Sequence, residues 1–125
     1  MPKKNFISFA IEDKFARDNL AFQAKQKHTP FEFVDMSVKL PWDSSWKTNC
    51  RTRIKGCDGV IAFISDNTFA ADGARWEIKC AYEEQVPVLP LYIHDHGAKR
   101  IPHELAGKKI YHWTWDNVVG FINKL

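Results

Sequence analysis

Apolar positions fall into short strand-like runs separated by stretches with helical spacing. Asn5-Phe6-Ile7-Ser8-Phe9 is rich in aromatic and β-branched residues and reads as a first strand. From Asp13 to about Lys27, Ala16, Leu20 and Ala24 fall on one helical stripe, and Phe15 and Phe22 add a second apolar edge, predicting a crossover helix. Thr29-Pro30 ends it, because a residue before proline is pushed out of the helical region, and Phe31 to Val34 gives a second strand. Met36 to Trp46 carries Pro41, two tryptophans and no period, so it reads as a long loop, with Ser44 or Ser45 capping a helix that stops near Gly56. The unbroken apolar run Val60 to Ile64 predicts a central parallel strand covered on both faces. A third helix, about Asp72 to Gln85, has Ala74, Ile78, Ala81 and Tyr82 at core spacing, with Glu77 near its start and rotated off that stripe. Val86 to Ile93 is a fourth strand that Pro87 and Pro90 mark as irregular or edge-like. After a polar loop from His94 to Gly107, Lys109-Ile110-Tyr111 is a brief fifth strand, and Thr114 caps a last helix with Val118, Val119 and Ile122 inward.

Strands and helices alternate throughout, which implies an α/β flavodoxin-like fold: a doubly wound parallel sheet of about five strands with helices on both faces and right-handed crossovers. The 125 residues, 45% apolar and 26% charged, suit one globular domain over residues 1–125, without repeats or a linker. The net charge of +3 comes from scattered basic residues with no run resembling a nucleic-acid arm, so no nucleic-acid partner is expected. No stretch approaches the roughly 20 apolar residues of a membrane span and no secretory segment precedes the first strand, which implies a cytoplasmic protein with no membrane partner. Cys50, Cys57 and Cys80 are odd in number and lack Cys-x-x-Cys spacing, arguing against disulfides and a cysteine zinc site. His94-Asp95-His96 lacks evident third and fourth ligands and reads as a polar loop, so no metal is expected.

In such a sheet, ligands bind beyond the carboxyl ends of the strands where strand order reverses, here between the first and third. Phe9, Ala10 and Glu12 arrive there from the first strand, Asp35 and Ser37 from the second, and Ser65, Asp66 and Asn67 from the third, with Trp76 and Glu77 on the following helix. No glycine-rich phosphate loop follows any strand, so a nucleotide would rest on the flat faces of Phe9, Trp42, Trp46 and Trp76. From the residues alone, Glu77 reads more readily as a solvent-facing helix carboxylate paired with a lysine than as a catalytic group, while Trp76 reads equally as a core anchor and Asp35 and Ser37 equally as turn residues.

Phe6-Ile7-Ser8-Phe9 with Asp13, Phe33-Val34-Asp35-Met36-Ser37, Trp42-Asp43-Ser44-Ser45-Trp46-Lys47, Arg53-Ile54-Lys55, Gly59-Val60-Ile61 and Ala74-Arg75-Trp76-Glu77-Ile78 with Ala81 occur in an order and spacing that resembles the small bacterial TIR-like family that includes the ThsB component of the Thoeris antiphage system. The resemblance covers essentially the whole chain. It implies cleavage of NAD, as substrate rather than cofactor, at the nicotinamide–ribose bond, with Glu77 in the position of the family's catalytic glutamate. Phe9, Ala10, Asp35, Ser37, Trp42, Trp46 and Trp76 would then bind the NAD. It further implies a cyclic or conjugated ADP-ribose product read by a separate effector protein, with self-association or a phage-derived trigger as the activating event. The expelled nicotinamide is neutral and needs no protonation, so one ionised carboxylate suffices, and a place near a helix N-terminus would favour that ionised form. The competing reading is a non-catalytic receiver-like or adaptor domain, in which Glu12, Asp13, Asp66 and Lys108 imitate an acidic pocket.

Overall fold

The run Gly59–Ile64 is buried at all six positions and forms the centre of a five-stranded, wholly parallel sheet. The computed structural model describes residues 3–27, 31–36, 39 and 42–125. The elements are β1 (Lys3–Ser8), α1 (Lys14–Gln26), β2 (Phe31–Val34), α2 (Ser44–Lys55), β3 (Gly59–Ile64), α3 (Asp72–Glu83), β4 (Val88–Tyr92), β5 (Tyr111–His112) and α4 (Trp115–Asn123), with short 3-10 turns at Ile11–Asp13 and His103–Leu105. The strand order is β2-β1-β3-β4-β5, the flavodoxin-like arrangement, so the order reverses between β1 and β3.

Because successive strand residues face opposite sides, β3 feeds two cores. Ile61 and Phe63 pack with Leu20 of α1 and Val118 of α4 on one face. Val60 packs with Trp46, Cys50 and Ile54 of α2 and Cys80 and Ala81 of α3 on the other, where Ala62 and Ile64 meet Ile78 and Leu105. The three cysteines are free and buried in these layers, and burial pushes the Cys57 and Cys80 thiols up to about 11.

Several local expectations change. Phe15 and Phe22 do not complete the buried stripe of α1; they are 47% and 62% exposed, while Ala16, Leu20 and Ala24 alone face the sheet. The cap of α2 is Asp43 rather than a serine: its Oδ1 accepts from the backbone N–H of Ser45 at 2.8 Å and of Trp46 at 3.4 Å. Strand β4 is internal despite Pro90. The Val60 N–H bonds the Pro87 carbonyl and the Ile93 N–H bonds the Ile64 carbonyl, so odd-numbered residues of this strand face β3. The N–H that Pro90 lacks would point to the opposite side, where pairing with β5 begins only at Leu91. The fifth strand itself is Tyr111–His112, two exposed residues.

Asp43→Ala removes the acceptor that satisfies two N–H groups at the start of α2, and is expected to lower unfolding free energy by about 1 kcal/mol. Urea titration checks this as a lowered midpoint at unchanged slope.

Candidate active site

At the carboxyl end of β1, Ser8 is the only polar residue in the apolar run Phe6 to Ala10, and its side chain points to the α2–α3 face. Its hydroxyl lies 2.9 Å from Oε1 of Glu77 and 3.3 Å from the Ala74 carbonyl. Glu77 has no exposed surface. Lys39, beyond β2, places Nζ 2.8 Å from Oε2 and 3.1 Å from Oε1 of the same carboxylate, and the Cys50 thiol of α2 sits 4.0 Å from Oε2. Three separate segments therefore converge on one carboxylate carried by α3.

This corrects two expectations. Glu77 is not rotated off the buried stripe: α3 packs against both the sheet and α2, so its buried face is wide enough to take in Gly73, Ala74, Glu77, Ile78, Cys80 and Ala81. Nor is it near the helix start. The helix begins at Asp72, placing Glu77 in the second turn, and the favourable dipole fades within the first. Its titration is governed instead by burial, which pushes the carboxyl up from 4.5 to about 7. The charge and hydrogen bond of Lys39 and the bond from Ser8 pull the other way, and nearby Asp35 adds a further upward push.

Lys39 runs close over α3. A methyl group added at Gly73 would lie 2.7 Å from Cβ of Lys39, so glycine is what lets the two backbones approach. The ammonium also stands 4.2 Å from the centre of the buried Phe9 ring. Outside the Lys39 side chain is a groove of about 250 Å³, bounded by Ile11 and Glu12, by Lys39 and Trp42, and by Ala70 to Ala74.

Of the residues expected to bind a ligand, Phe9 is buried beneath Lys39, Ala10 is buried beside it in the chain, and Trp42, 77% exposed, stands at the groove. The Asp35 carboxylate is held by Arg17 at 2.6 Å and its carbonyl by Arg53 at 2.7 Å. Ser37 lies outside the described residues. Trp46 and Trp76 are not brought to the groove: Trp46 is buried and meets half-buried Trp76 edge-on at 5.4 Å, with the Arg51 guanidinium 5.4 Å from the Trp76 ring. Trp76 lines a separate cleft of about 390 Å³ along Lys47, Arg51 and Lys55, which includes none of the groups touching Glu77. Ser8, Lys39, Cys50 and Gly73 were missed as site residues. Only Ser8, a hydroxyl inside an apolar strand, carried a visible signal.

The far bank of the crevice is tied by Asp13. Its carboxylate is buried and accepts from the Ser65 hydroxyl at 2.5 Å and the Asn67 amide at 2.9 Å, joining the segment after β1 to the one after β3. The receiver-like acidic pocket does not assemble. Asp66 instead accepts from the Lys99 backbone at 2.6 Å, and Lys108 lies over the Tyr82 ring. His94 and His96 stack at 5.3 Å; among the described residues no three His, Cys, Asp or Glu side chains form a metal site. Among the described residues, no helix is long and apolar enough to cross a membrane.

Residues 6–98 match the family model described as "Thoeris protein ThsB, TIR-like domain". Among solved structures, the chain is similar in fold to the crystal structure of a prokaryotic SEFIR domain, with a TM-score of 0.60 at 14% identity over 98% of this chain and 88% of that one. No curated protein matches it in sequence.

A carboxyl raised on folding binds its proton more tightly in the native state, so its contribution to stability falls as pH rises from 4.5 to about 7 and is level above that. Glu77→Gln should abolish this slope, worth on the order of 3 kcal/mol, in urea unfolding measured across the range. Lys39→Met removes two influences that lower the carboxyl, so the Glu77 midpoint should move above about 7, followed by carboxyl NMR titration.

Proposed function

The chain belongs to the TIR-like domain family of the Thoeris protein ThsB, and we propose that it cleaves NAD at the nicotinamide–ribose bond, with Glu77 as the catalytic carboxylate. The observation that carries this reading is the convergence of Ser8, Lys39 and Cys50 on Glu77 at the strand-order reversal, beside an open groove. A fully buried carboxylate, raised to about 7, is not a surface-solubility residue, and such perturbed groups in clefts concentrate at functional sites.

The chemistry asks little of the protein. The bond between ribose C1′ and the pyridinium nitrogen breaks with its electron pair going to nitrogen, and neutral nicotinamide departs. Positive charge develops on the ribose, and ionised Glu77, accepting hydrogen bonds from ribose hydroxyls, stabilises it. Water, or a nucleophilic atom of the adenine or another acceptor, then adds to C1′ and loses a proton to solvent. Addition of water gives ADP-ribose; addition within or between nucleotides gives a cyclic or conjugated product. Cys50 takes no covalent part, because burial and the neighbouring Glu77 carboxylate raise its thiol far above its ordinary range. Lys39 occupies both carboxylate oxygens, so ribose hydroxyls reach Glu77 only when the lysine has moved, and a trigger or self-association would act by moving it. The product would act on a separate effector protein in antiphage defence within the bacterial cytoplasm.

Mass spectrometry of purified protein with NAD, and of phage-challenged cells expressing it, should show an ADP-ribose derivative with release of nicotinamide. Glu77→Gln should reduce its formation by at least about 10²–10³-fold while circular dichroism stays native. A Glu77→Gln protein with full activity would remove the assignment.

A further inference from the structure

The groove beside Glu77 borders a second cleft just before α3. Ala70 lines it and also lines a neighbouring cleft of about 310 Å³, bounded by Asp66, Phe69, Lys99 and Arg100. At about 250 Å³ the groove alone falls short of the roughly 300–1,000 Å³ of ligand sites; the two together lie within that range. The second cleft differs in character. The Phe69 ring carries a guanidinium at 5.4 Å from Arg75 and another at 5.3 Å from Arg100. Arg75 is engaged with the Glu104 carboxylate at 3.0 Å, the Phe69 carbonyl at 3.1 Å and His103 at 2.8 Å, which makes it a brace for the wall. Arg100 and Lys99 are exposed, and among the described residues neither side chain has a carboxylate partner. The nearby Asp66 carboxylate accepts from the backbone N–H of Lys99, fixing the segment at the cleft edge while leaving the ammonium free. An aromatic floor with two cations that lack carboxylate partners, in a cleft that shares Ala70 with the groove beside a buried carboxylate, suits a flexible ligand whose anionic part lies some distance from its reacting part.

We propose that Lys99 and Arg100 form the subsite for the diphosphate of an ADP-ribosyl group whose reacting ribose lies at Glu77; the placement of the ribose rests on the Glu77 reading. The cations also lie beyond the end of the family match at residue 98, so nothing in that match assigns them. The chain has no glycine-rich phosphate loop after any strand, and these side chains take over the role of such a loop.

The test is calorimetric binding of ADP-ribose and of adenosine to wild type, Lys99→Gln, Arg100→Gln and Arg100→Lys, with thermal unfolding as the fold control. Each glutamine variant should weaken ADP-ribose about tenfold, the loss of one charge-assisted contact, and leave adenosine unchanged. Arg100→Lys should recover part of the loss, and the wild-type advantage should shrink with added salt. Equal ADP-ribose affinity in all four proteins, no binding to wild type, or an equal loss for adenosine overturns the subsite. Steady-state kinetics separate it from the catalytic reading. If NAD is cleaved and Arg100→Gln leaves KM unaltered, the subsite falls and Glu77 stands. If ADP-ribose binding drops in Arg100→Gln but no NAD is cleaved either by purified protein or in phage-challenged cells, the diphosphate subsite stands and the chemistry at Glu77 falls.

Discussion

A carboxylate and an ammonium held together away from water dominate this structure. Taking the two charges of Glu77 and Lys39 out of solvent is unfavourable unless their hydrogen-bonding capacity is met and they lie close together. Both conditions hold: Lys39 spans the two oxygens, and Ser8 serves one of them from the sheet. Even so, burial outweighs the lysine and leaves the carboxyl titrating near neutrality. The surrounding features follow from keeping this pair in place. The glycine at position 73 admits the lysine stem, the Phe9 ring faces its ammonium, and Arg17 and Arg53 hold the chain at Asp35 just before it.

The sheet decides where such a pair can exist. Reversal of strand order between β1 and β3 leaves an opening at their carboxyl ends, flanked by the segments after β1 and β2 and by the start of α3. Elsewhere both faces of β3 are covered by helices and filled by apolar side chains. A buried charge can be met by polar partners at that end of the sheet because the strands have stopped and side chains from separate elements can approach one another.

The sequence carried the fold in its periodicity. The apolar run of β3, the alternation of strands and helices and the Thr114 cap, which accepts from the Asn117 N–H at 3.1 Å, need only local chemistry to be read. The site was harder because its features depend on neighbours. Burial of Glu77 follows from α3 having two packing partners, which the stripe of Ala74, Ile78 and Ala81 does not announce. Trp42 and Trp46 sit four residues apart and look equivalent in sequence, yet one is 77% and the other 5% exposed, because Asp43 starts the helix between them and turns the second into the core. Lys39 lies in an aperiodic stretch among many lysines, and only the glycine thirty-four positions later in the chain, with no room for a methyl, marks where it goes.

The buried Asp13 has a further consequence for how the two banks of the crevice are held. By bonding Ser65 and Asn67, it makes the turn after β1 and the turn after β3 one unit, and α3 with Glu77 grows directly from that unit. The opposite bank is held through cations: Arg17 and Arg53 bind Asp35, and Lys39 reaches across to Glu77 itself. The crevice thus has one bank tied by a buried carboxylate and one tied by cations. Lys39 joins the two, so a substitution in the second bank is felt at the carboxylate carried by the first.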